Sequence, residues 1–264
     1  MIKFFRKIRQ KLLSENKFSK YLIYAIGEIV LVVIGILIAL QLNNLNERNK
    51  LQAKEIEILN DFKRSLDNDL FGLNTSIKRV ESTKSSMKII IAHMESDLPY
   101  SDSLNNHFGN TMNTWTSNVN RSVYESLKSE GLDIISNKDL RQNIANLYDI
   151  IIIGQKERND RYRDIVDEGG ATILSTRFDE MWNGNYEHWF EENDWSDNNY
   201  STESLQSVMT PLNYEELRKD QEYLYFLKSL KNRHFWFFEV ENKTVKKAVV
   251  RLLKQIEDEL EKVK

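Results

Sequence analysis

The sequence predicts an all-α protein: one transmembrane helix continuing into a long helical rod or antiparallel coiled-coil bundle with a loop-rich distal tip. Three observations predict it. Two prolines and nine glycines in 264 residues leave little to interrupt helices. In the run Tyr21–Leu42, YLIYAIGEIVLVVIGILIALQL, the only charge is Glu28. Apolar residues then recur every seven positions at Leu59, Leu66, Leu73, Val80, Met87 and Met94.

The apolar run comes first. A bilayer core of about 30 Å needs about 20 apolar helical residues, which residues 21–42 supply. The apolar region of a cleaved signal peptide is shorter, roughly 7–15 residues, and ends in a small-x-small site. Ala39-Leu40-Gln41 offers no such site, so the run reads as an uncleaved signal anchor. Lys3, Arg6, Lys7, Arg9, Lys11, Lys17 and Lys20 precede it, against Glu15 alone, while Arg48, Lys50 and Lys54 follow. Basic flanks stay on the cytoplasmic side. Residues 1–20 are therefore expected in the cytoplasm and residues 43–264 in the periplasm, beyond the inner membrane. In MIKFFRKIRQKLL the apolar Ile2, Phe5, Ile8 and Leu12 alternate with cations, as in an interfacial helix on anionic headgroups. The lipid bilayer is thus the first expected partner.

Two features of the span exceed anchoring. Gly27, Leu31, Gly35 and Ala39 recur every four residues, a spacing that lets a second helix approach closely, although glycine is also frequent in membrane helices generally. Glu28 is costly in hydrocarbon, about 2.5–3.5 kcal/mol at the centre and less near an interface. Tyr24, one turn earlier, offers it a hydrogen bond; a contact to another membrane helix is the other reading. Both features make another membrane protein, or a second copy, the expected protein partner.

The stretch KYLIYAIGEIVLVVIGILIALQLNNLNE resembles the N-terminal signature of an uncharacterised family of small single-span membrane proteins abundant in Bacteroidota. The likeness covers residues 1–50, Glu28 and both span glycines included. SVYESLKSEGLDIISNKDLRQNIANLYD, Ser122–Asp149, resembles a second and weaker signature. The family is a domain of unknown function, so the resemblance implies membrane placement in a bacterial envelope and no reaction.

The exterior elements follow in order. Residues 43–96 contain no proline and one glycine, Gly72, and form the expected long helix, with Phe62, Leu70, Ile77 and Ile91 beside the heptad seam and Lys84 interrupting them. Residues 97–212 are expected to hold distal helices and loops. Asp97–Asn120 reads as a loop with at most a short helical turn; Arg121–Lys128 is helical, with Gly131 as its cap. Ser136 or Asn137 caps a helix with Leu140, Ile144, Leu147 and Ile151 inward, ending near Asp167 before Gly169-Gly170, and another helix is expected near Ala171–Met181. Residues 213–264 form a returning helix, one piece or two, with Leu224, Leu227, Phe235 and Phe238 and then Val249, Leu252, Ile256, Leu260 and Val263 inward.

Between Trp182 and Tyr200, aromatics and acids alternate without Lys or Arg. Trp182, Tyr186, Trp189, Glu191, Asp194 and Trp195 form a candidate ligand tip, since aromatic faces beside carboxylates suit cations or sugars. The bland alternative is a lid whose aromatics plug the tip while its acids stay solvated. A calcium site is weakly suggested by Asp194, Asp197 and Asn199, which lack the EF-hand glycine and terminal glutamate.

Other chemistry is lacking in the sequence. The absence of cysteine excludes disulfides, thiolate zinc and cysteine nucleophiles. Phosphate loops, Gly-x-Ser-x-Gly and His-Glu-x-x-His are missing, and His93, His107, His188 and His234 are scattered. No enzyme, cofactor or metal is expected, and a net charge of −3 argues against nucleic acid. Two roles compete: an interaction or scaffold subunit working through helix–helix contacts, and a sensory domain that binds a ligand at its tip and signals through a partner.

Overall fold

The computed structural model describes residues 18–96, 98–192 and 207–263. Among the described residues the chain is all-α apart from one small antiparallel ribbon, and it divides into two units, Met1–Glu57 and Ile58–Lys264. Helix α1, Phe18–Glu95, is 78 residues long and runs through both. The expected basic interfacial helix at residues 1–13 lies outside the described residues.

In the first unit the helix carries its apolar side chains bare. Ile23 is 71% exposed, Leu31 62% and Leu42 62%, and Leu22 to Leu45 share this character. One stretch of α1 reaches a mean hydropathy of 2.6 with none of it buried. Burying such surface is the main driving force of folding in water, and this stretch takes no part in the folded core. It is long and apolar enough to cross a membrane.

In the second unit the same helix becomes a protein-facing one. Leu59, Leu66, Leu73, Val80, Met87 and Met94, the heptad positions, are all buried. The companion seam differs from expectation. Leu70 and Ile77 are only half-buried, and the second buried line is Phe62, Asp69, Ser76, Thr83 and Ile90, polar through its middle. Those polar positions are legible only from what crosses them.

The crossing begins with α2, Ser103–Thr111, where the sequence suggests a loop. Asn110 Nδ2 donates to Ser82 Oγ (3.1 Å) and Ser86 Oγ (2.9 Å) on α1, and Ser86 also pairs with His107 Nδ1 at 3.0 Å. Gly109 is required by proximity: a Cβ there would overlap the Ser207 backbone. Helix α3, Ser122–Glu130, ends at Gly131, whose φ of +118° suits glycine. Asn137 caps α4, Lys138–Asn146, by accepting from the Asp139 and Leu140 amides.

A π turn, Leu147–Ile151, joins α4 to α5, Ile152–Thr172. The extra residue re-phases the helix so that consecutive Leu147 and Tyr148 are both buried. Helix α5 runs through Gly169-Gly170 instead of ending before them. Gly169 is buried, and the Phe226 ring occupies the place of its missing Cβ, so the residue serves a close helix approach and not a stop. The helix expected at Ala171–Met181 is a 3₁₀ turn, Leu174–Thr176, followed by irregular chain. There Arg177 ties Asp220 (2.7 Å) and Glu222 (2.5 Å), while Phe178 bridges to Pro211. Strand β1, Asn183–Gly184, pairs with β2, Ser207–Val208, and α6, Tyr186–Glu192, lies between them in sequence.

The return comprises α7, Tyr214–Leu217, capped by Asn213, then α8, Gln221–His234, capped by Asp220. A second π turn, Phe235–Val240, leads to α9, Glu241–Val263. Phe238 turns inward as expected, whereas Phe235 is 38% exposed because the π turn rotates it out, beneath Lys84 Nζ at 5.5 Å. Val249, Leu252, Ile256 and Leu260 are buried; the Val263 side chain lies outside the described residues. Three ion pairs prove the antiparallel course against α1: Lys63 with Glu257 (2.6 Å), Lys84 with Glu239 (2.5 Å) and Glu95 with Lys228. As one number climbs the other falls.

Candidate functional site

Three regions bear chemistry. On α1, a Cβ added at Gly27 or Gly35 would meet nothing within 4 Å, so the stripe Gly27, Leu31, Gly35, Ala39 is open, and Glu28 beside it is half-buried. The Tyr24 side chain, expected to bond Glu28, lies outside the described residues.

The aromatic and acidic segment is only partly described. Trp189 on α6 is 3% exposed, with its ring edge-on to Phe190 at 5.0 Å. Trp182 is half-buried against the main apolar core at a left-handed φ of 59°. Tyr186 is half-buried, Glu191 is exposed, and His188 meets Glu192 at 3.2 Å on the surface. Both described tryptophans of this segment are thus occupied with packing, while Glu187 and Glu191 are exposed. Asp194, Trp195, Asp197 and Asn199 lie outside the described residues.

The third region carries no sequence motif. A cleft of about 460 Å³ opens between the middle of α1 and the segment 115–120 that leads into α3. Alternation of small polar residues on one helix face builds its wall: Ser65, Asn68, Asp69, Thr75 and Ser76, with Gly72 leaving room. Thr116, Ser117, Asn118 and Asn120 line the opposite side. Phe71 and Trp115, both exposed, flank the mouth, and the Arg79 guanidinium stacks over the Trp115 ring at 4.7 Å.

At the floor, Asp69 is 8% exposed. Its Oδ1 accepts the Asn120 N–H at 3.0 Å, and its Oδ2 has no partner. It makes no ion pair among the described residues. Burial pushes its carboxyl up to about 6, against the opposing pull of the Asn120 N–H. Behind it, burial and then the Asp69 charge push the Tyr148 phenol upward, and the Tyr148 hydroxyl is also unpartnered. Ser65 and Ser117 each hold an unpaired hydroxyl oxygen as well. Ser76 links the cleft to the core: it accepts from Asn242 Nδ2 at 3.2 Å, and Asn242 Oδ1 accepts from Gln155 Nε2 at 2.7 Å, joining α1, α9 and α5.

The segment Ser122–Asp149 packs beside this floor. The Tyr124 and Tyr148 rings stack at 4.7 Å, the Tyr124 hydroxyl donates to Asp149, and Arg121 donates to the Tyr148 carbonyl at 2.5 Å. Its polar and aromatic residues are explained by this knot. Nothing in the sequence points to Asp69 except an acid in phase with Phe62 and Ile90, a signal easily taken for a solvated position. Among the described residues no group of three acids or histidines could hold a metal ion.

A family described as a family of unknown function (DUF6090) matches residues 28–168, which takes in Glu28, the cleft and the tyrosine knot. No curated protein and no solved structure matches the chain.

Proposed function

The chain belongs to this family of unknown function, and from that premise we propose that it is a membrane-anchored, non-catalytic interaction or scaffold subunit. It works through helix–helix contacts with itself or with another inner-membrane protein. The observation that carries this reading is the change of chemistry along one helix: α1 is bare and apolar over Leu22–Leu45 and buried against protein from Leu59 onward. Lipid and partner helices are the solvents that suit the first part. The open Gly27–Gly35 stripe and Glu28 give that part a face for close approach and a polar contact. The basic flank at residues 3–20 favours a cytoplasmic N-terminus and a periplasmic helical domain.

The test is crosslinking in native membranes, followed by identification of adducts. Gly35→Leu and Glu28→Gln each reduce adduct yield several-fold, while folding of the helical domain is unchanged. Unaltered adducts in both variants would mean that the span is an anchor alone. Because the chain has no cysteine, Ser101→Cys reports topology: labelling by a membrane-impermeant thiol reagent from outside is expected, and labelling only after lysis refutes the orientation.

A ligand-binding role with signalling through a partner is the second reading. The cleft at Asp69 favours it more than the described part of residues 182–200 does.

A further inference from the structure

We propose that the cleft between α1 and residues 115–120 binds a small hydroxylated primary amine of amino-sugar size, its ammonium group taken by Asp69. The inference is independent of what the span contacts.

A carboxylate that is more than nine-tenths buried, with one oxygen unpartnered and no cation paired to it, is costly to hold. Such a group calls for a donor, and a cationic donor also compensates its charge. Arg79 lies in the same cleft, ten positions past Asp69 on α1, but is stacked on Trp115. The cleft volume of about 460 Å³ falls in the range of small-ligand sites, about 300–1,000 Å³. Its walls depart from the usual apolar lining: they are mainly hydroxyls and amides, among them the unpaired Ser65 and Ser117 oxygens. Hydroxyl groups on the ligand match that lining, and the exposed Phe71 ring at the mouth suits a compact carbon skeleton. An anion is opposed by Asp69. A divalent cation lacks ligands, since no triad of acids or histidines exists among the described residues.

The probe is glucosamine, compared with glucose and N-acetylglucosamine, added to the full chain in detergent micelles and read by calorimetry and tryptophan fluorescence. At pH 7 glucosamine binds saturably and at least tenfold more tightly than the two neutral sugars. At pH 5 its affinity falls about tenfold, because a carboxyl of pKa about 6 is then largely protonated. Tyr148, the titratable group that feels the Asp69 charge, is pushed upward by burial and stays neutral over this range. Asp69→Asn keeps the acceptor for the Asn120 N–H and abolishes the preference for glucosamine. Ser117→Ala weakens binding several-fold. Glucose binding as tightly as glucosamine, unchanged glucosamine binding in Asp69→Asn, or no saturable glucosamine signal each overturns the proposal. If Asp69→Asn does not fold, the pH 5 comparison on the unaltered chain decides.

Discussion

Acidification is expected to act on the helical domain through two buried groups of opposite sign, and removing either one exposes the other. Asp69 is raised from 3.8 to about 6 by burial. Its folded state favours the protonated form, so the stability it contributes is complete below pH 3.8 and is lost as pH rises through about 6. His234 is 1% exposed, with its ring against Tyr162 and Phe238. Burial lowers it from 6.5 to about 4, with Glu239 pulling upward and Lys84 downward. Its contribution is complete above pH 6.5 and is lost as pH falls through about 4. At about 1.4 kcal/mol for each pH unit of displacement, either effect amounts to about 3 kcal/mol at full extent. Between about pH 4 and 6 these two contributions offset one another, while His107, also lowered by burial, adds a loss of stability on acidification. The assay is urea unfolding of the full chain in detergent, followed by helical circular dichroism at half-unit pH steps. Asp69→Asn should gain stability steadily from about pH 4 to 6.5, by about 3 kcal/mol at the upper end. His234→Gln should lose a similar amount over the same interval. Three parallel curves would refute the reasoning, since neither group would then differ in proton affinity between folded and unfolded chains.

Gly169→Ala should destabilise the helical domain by about 1–3 kcal/mol, because the new methyl meets the Phe226 ring. Gly72→Ala, with nothing within 4 Å, should instead raise the melting temperature slightly, by the helix propensity gained, about 0.5–1 kcal/mol. Asn242→Ala strands Ser76 and Gln155 in the interior and should cost about 3 kcal/mol in denaturant titration. Replacing all three by apolar residues should recover most of that loss.

Much of the architecture is legible along the chain. The bare apolar helix, the six heptad positions, the Gly131 and Asn137 caps and the returning stripe Val249–Leu260 all depend on local periodicity and on side-chain transfer energy. Both act wherever the helix forms. Phase and termination are harder to read. Gly169-Gly170 reads as a stop unless Phe226 is known to need the space, and Phe235 reads as inward unless the π turn before Glu241 is known. The tip residues Trp182 and Trp189 are visible as aromatics, but composition cannot tell a packed ring from an offered one.

The amino-acid order by itself thus determined where this protein is greasy, where it is helical and which face of α1 is buried, because apolar residues respond to water whatever their partner. Only the tertiary structure decided what Asp69, Ser76 and Thr83 mean. A small polar side chain has no preferred side of its own. Its role is set by the segments that cross it, and here residues 103–120 and Asn242 of α9 turn an interrupted seam into a network and a cleft.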